Sequence, residues 1–109
     1  MRTTYGTEIS RNLVANRTDD LVGQFFKILP LKEKNAETLP KYIDGLIREM
    51  LGMQDVIEEW HEDGCYLSLI GILKYFDKHP ECDVEIVRSD VFKALNIIRQ
   101  LQKKYRAET

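Results

Sequence analysis

Apolar residues recur at intervals of three and four along most of this chain, the spacing that lines one face of an α-helix. Two stripes are clear: Ile43, Leu46, Ile47, Met50 and Leu51, then Val91, Ala94, Leu95, Ile98, Leu101 and Tyr105. A third pattern, Leu21, Val22, Phe25, Phe26, Ile28 and Leu29, predicts a helix that Pro30 ends. Proline lacks a backbone donor and disfavours a helical residue before it. Upstream, Ile9 and Leu13 form a weak stripe over 8–15. The polar run Asn16 to Asp20 predicts a break, with Thr18 or Asp19 as the cap. Residues 1–6 show no period and are expected to fray.

Lys32 to Glu37 reads as a charged loop. Thr38 reads as an N-cap with Pro40 just inside the next helix, and Gly52 as that helix's C-terminal cap. Val56, Ile57 and Trp60 predict a further short helix, or a continuation through Gly52, with Gly64 the next stop. Residues 66–78 are the most apolar segment, with apolar positions nearly all round, and predict a helix at the centre of the bundle. A buried strand is the alternative, but the segment is longer than a usual strand. His79-Pro80 ends it, Cys82 to Val87 reads as loop, and Ser89 caps the last helix. No two alternating segments are joined by an Asn-Gly or Asp-Gly turn. The pattern predicts an all-α fold, a compact bundle of about four to five helices around a central apolar helix.

A length of 109 residues fits a single helical domain over 1–109. With 43% apolar and 31% charged residues, the chain holds enough apolar material for one core and too much for a disordered protein. No apolar run follows the N-terminal Met1-Arg2-Thr3-Thr4-Tyr5-Gly6, and the longest apolar run, Cys65 to Phe76, is broken by Ser68 and Lys74. It falls short of the roughly 20 residues a membrane span needs. A cytoplasmic protein without membrane attachment is expected, and two cysteines do not make a disulfide scaffold.

All the histidines and cysteines fall in two pairs, His61-x3-Cys65 and His79-x2-Cys82. Two His and two Cys are a common tetrahedral zinc set. A helix over 66–78 opposes a single site, because it holds Cys65 and His79 roughly 21 Å apart. The same separation opposes a disulfide. No metal and no cofactor is expected, and His61, Cys65, His79 and Cys82 remain the candidates for a metal or thiol site. Reading His61 and Cys65 as base and nucleophile would further require a group to orient the imidazole and donors for an oxyanion. No catalytic residue is assigned.

Charge is uneven. Residues 1–55 carry eight basic and eight acidic side chains, 56–87 two and eight, and 88–109 six and two. The acidic stretch contains Glu58, Glu59, Glu62, Asp63, Glu81, Asp83 and Glu85, and the basic one Arg99, Lys103, Lys104 and Arg106. If the two stay apart in the fold, the acidic residues form a docking face for a partner with a basic surface. If they pair, they form a solvated surface of little energetic weight. The first case is expected. Four cations at a chain end, on a protein of net charge −2, are a small footprint for reading nucleic acid. The expected function is therefore a non-enzymatic cytoplasmic interaction or accessory protein whose partner is another protein. A homodimer is compatible with it. A small regulator touching nucleic acid through the last helix is the alternative.

Overall fold

In the computed structural model the backbone is described over residues 11–106 and the side chains over 15–104. The expectations for residues 1–6 and Ile9, and for the side chains of Leu13, Tyr105 and Arg106, lie outside the described residues. The fold is all-α. Among the described residues five helices follow in order, α1 (Arg11–Phe26), α2 (Ile28–Glu33), α3 (Leu39–Val56), α4 (Gly64–Lys78) and α5 (Val84–Arg106), with a 3-10 turn at Glu58–Trp60.

Helix α1 runs unbroken through Asn16 to Asp20, where the polar run predicted an interruption. The core-facing position in that turn is Thr18, which is buried, with its hydroxyl donating to the Ala15 carbonyl at 2.7 Å. Thr18, Leu21 and Phe25 keep the spacing of three and four, so the polar neighbours need only face outward. Pro30 does not end a helix. It is the third residue of α2, within the first turn, where backbone N–H groups lack intrahelical partners in any case. The break lies at Lys27 instead.

Of the segment expected as a charged loop, Lys32 and Glu33 belong to the last turn of α2, and residues 34–37 form the turns that follow it. α2 closes on Asn35, whose φ of 51° is left-handed, a region asparagine tolerates better than most residues. The Asn35 N–H donates to Lys32 O and the Ala36 N–H to Leu31 O, the paired bonds of a Schellman motif. Thr38 stands at the N-cap of α3 but makes no side-chain capping bond.

Helix α3 passes through Gly52, expected as its cap, and ends only at Val56, where Ile57 turns extended. Ile43, Leu46, Ile47 and Met50 are buried, whereas Leu51 is exposed at the margin of the same stripe. Gly45 and Gly52 sit in the helix interior, and a Cβ at either would meet nothing. Gly45→Ala and Gly52→Ala are each expected to raise unfolding free energy by about 0.5–1 kcal/mol, the helix-propensity difference at an unobstructed site. Urea midpoints check this, and a loss of stability at either position would contradict it.

Gly64 opens α4 rather than stopping a helix, because Asp63 caps α4 and its carboxylate accepts from the Tyr66 N–H at 3.1 Å. α5 begins five residues before Ser89, so most of the expected loop 82–87 is helical. Val87 explains the early start: buried one turn before Val91, it extends the core stripe towards the N-terminus.

Helix α4 lies between α3 and α5, and α5 also packs on α1 and α2. The circuit closes where α1 meets α3, through side chains: Arg17 pairs with Glu49, Tyr42 Oη donates to Gln24 O at 2.8 Å, and Gln24 Nε2 donates to Glu49 at 3.3 Å. The largest fully buried side chains of the core include Trp60, Tyr66, Phe25, Leu21 and Met50. Trp60 stacks on Tyr66 with centroids 4.7 Å apart, and Tyr66 Oη donates to Met50 O at 2.5 Å. Burial holds the Tyr66 phenol protonated well above its ordinary range, outweighing the opposite pull of Arg17.

Candidate interaction surface

The two His/Cys pairs end up at opposite ends of α4, a helix of about 22 Å. Cys65 is half-buried in its first turn, and the exposed His61 imidazole lies 3.4 Å from Asp55 O. At the other end His79 packs on Tyr75, with ring centroids 4.5 Å apart, and its Nδ1 lies 3.3 Å from Glu81. Cys82 lines a small apolar crevice of about 40 Å3 between α2, α3, α4 and α5, beside Ile28, Ile43 and Phe76. Among the described residues no three His, Cys, Asp or Glu side chains converge as metal ligands would.

The acidic set is divided by the same helix. Glu58, Glu59 and Glu62 are exposed around the 3-10 turn before α4, whereas Glu81, Asp83 and Glu85 are exposed beyond its far end. They form two clusters, not one face. Asp63 belongs to neither. Its side chain is 1% exposed and accepts from Lys104 Nζ at 2.7 Å through one oxygen, while the other caps α4. Placing Asp63 on a docking surface is therefore corrected: with one oxygen on the Tyr66 N–H and the other on Lys104, its carboxylate is covered and not open to a partner. Hydrogen bonds from its own backbone N–H and from His79 hold the Glu81 carboxyl below its usual range. Glu85 pairs with Arg88 at 2.8 Å, and Arg88 with Glu33 at 3.1 Å. These contacts raise the Arg88 pKa, the hydrogen bond to Glu33 most of all.

Because α5 returns antiparallel to α4, its basic end lies beside the acidic turn. The expectation that the two charge blocks stay apart is corrected at this end of the bundle, where Lys104 meets Asp63. A five-residue connection forces the return, which sequence charge counts cannot register. Lys104 is thereby taken from any nucleic-acid footprint. Arg99 and Lys103 are exposed on α5, and the Arg106 side chain lies outside the described residues.

An exposed stripe remains along α5. Glu85, Ser89, Phe92, Asn96, Arg99 and Lys103, spaced alternately four and three apart, are all exposed. This is a second helical face, opposite the buried stripe of Val87, Val91, Ala94, Leu95, Ile98 and Leu101. Phe92 is 50% exposed at its middle. Gln102 bonds Asp19 at 2.6 Å and Arg88 bonds Glu33, which fixes α1 and α2 antiparallel to α5. Phe26, two turns beyond Asp19 on the same shoulder of α1, is 51% exposed and comes within about a turn of the level of Phe92. From Arg88 to Arg106 the helix carries six cations against one carboxylate, Asp90.

No family model, curated protein or solved structure matches this chain. Function must therefore be argued from the surface itself. Half-exposed phenyl rings with an arginine on the same face match the aromatic and Arg enrichment of protein interfaces, with Lys103 suited to a polar rim. Phe26 was legible in the sequence only as part of a helical pattern. Phe92 stood out of phase with the core stripe, the one signal that marked it as outward-facing. No helix among the described residues is long and apolar enough to cross a membrane.

Proposed function

We propose that this protein is a non-enzymatic interaction module that binds another protein through the outer face of α5 and the adjoining shoulder of α1. The observation that carries the reading is the pair Phe26 and Phe92, both about half exposed, on helices that the Gln102–Asp19 bond holds antiparallel so that the two lie within about a turn of one level. Each ring is already half buried, so covering its remaining face is worth about 0.7–1.5 kcal/mol, half the value for a whole side chain, and a partner would recover it. Arg99 and Lys103 supply a cationic flank that favours carboxylates on the partner and speeds encounter. The exposed Glu58, Glu59 and Glu62 favour a basic region on the same or another partner. A cytoplasmic setting fits half-buried thiols that are not bridged to each other.

The test replaces Phe92 with a photo-crosslinking phenylalanine analogue in the full chain, in its cell of origin. Discrete protein adducts are expected from position 92 and not from the same analogue at Lys78, on the outside of α4. Adducts to nucleic acid instead would favour the regulator reading through Arg99 and Lys103. Equal labelling from both positions, or none from either, would overturn the proposed face.

A further inference from the structure

From its N-terminal end the exposed α5 stripe runs acidic, polar, aromatic, polar, basic, basic: Glu85, Ser89, Phe92, Asn96, Arg99, Lys103. Reversed and laid against itself, such a stripe is self-complementary. The alternating spacing of four and three is that of a helix–helix seam, and α5 offers 23 residues, about 34 Å, along which it runs.

We infer that the occupant of this face is a second copy of the chain, bound through antiparallel packing of α5 on α5 about a two-fold axis. The inference rests on the reading of this face as a binding surface and names its partner. In antiparallel seam packing, Glu85 of one copy layers with Lys103 of the other, Ser89 with Arg99, and Phe92 with Asn96. The two-fold axis repeats each layer, so one favourable charge layer closes each end of the seam. A parallel arrangement would set Glu85 on Glu85 and Lys103 on Lys103, and is repelled at both ends. At the centre the two Phe92 rings lie diagonally across the axis, and Phe26 on the shoulder of α1 widens the apolar area. The contact is isologous, the commonest kind in soluble oligomers.

The monomer leaves these groups open to do this. The Glu85 side chain is 80% exposed although it touches Arg88. Lys103 makes no ion pair among the described residues, in contrast to its neighbour Lys104, which Asp63 holds. Asp90, the one carboxylate within the basic part of α5, lies off the stripe.

Charge reversal on the full chain separates this from other arrangements. Glu85→Lys and Lys103→Glu, made in separate chains, each place like charges in both end layers. Sedimentation equilibrium is expected to show the association constant of each falling about tenfold or more. An equimolar mixture of the two variants restores association, because the heterodimer alone has opposite charges in both layers. Glu85→Lys with Lys103→Glu in one chain also restores it. Phe92→Asp abolishes dimer formation, and helical circular dichroism changes by no more than fraying of the first turn of α5 in Glu85→Lys, which loses the pair with Arg88. A wild-type chain that stays monomeric at millimolar concentration, or variants whose mixture restores nothing, would overturn the inference. Phe92-dependent crosslinks to a different protein would in that event leave the interaction face standing with another partner, and their absence would remove both.

Discussion

Trp60→Ala is expected to lower the free energy of unfolding by about 3–5 kcal/mol, the usual range for deleting a buried indole. Trp60 is fully buried and stacks on Tyr66, which is itself fixed to the Met50 carbonyl. The ring therefore holds together the end of α3, the 3-10 turn and the start of α4. Alanine would remove the stacked face and leave a void bounded by three elements that short connections keep from closing on it. A small domain is stable by about 5–15 kcal/mol in total, so this one substitution takes a large share. The melting temperature should fall by about 12 °C or more. Urea unfolding followed by circular dichroism checks it, since the variant loses its only tryptophan signal. A loss below about 1 kcal/mol would mean that the turn rearranges to fill the space.

Asp63→Ala is expected to cost about 2–3 kcal/mol, combining a lost N-cap with a lost charge-assisted bond from Lys104. Lys104 is 54% exposed, so solvent takes over part of its interaction and its share of the loss is the smaller one. Asp63→Asn keeps a capping oxygen and should cost roughly half as much. The carboxylate is buried, so added salt should weaken the wild-type contact far less than it would a surface pair. Equal losses for the two variants would assign the whole effect to the charge. No loss in either would mean that α4 starts without its cap.

Periodicity alone determined that the chain is helical, that Ile43, Leu46, Ile47 and Met50 face inward, and that Val91, Ala94, Leu95, Ile98 and Leu101 do the same. These follow because a stripe repeating at three and four has only one way to leave water. Element boundaries were less legible, since a residue that tolerates an end does not compel one. Pro30 is as suited to a first turn as to a stop, Gly52 stays helical at modest cost, and Thr18 serves the core as readily as a cap.

What only the tertiary structure decided is which charges meet. In sequence, Asp63 is one of eight acidic residues in a block and Lys104 one of six basic residues in another. The short return from α4 to α5 brings them within 2.7 Å, while the length of α4 parts Glu58, Glu59 and Glu62 from Glu81, Asp83 and Glu85. The outward face of α5 was decided in the same way. Its spacing is written in the sequence, but Phe26 comes within about a turn of the level of Phe92 only because α1 lies antiparallel along α5. Contacts between residues far apart in the chain depend on helix direction and register, and a one-dimensional pattern fixes neither.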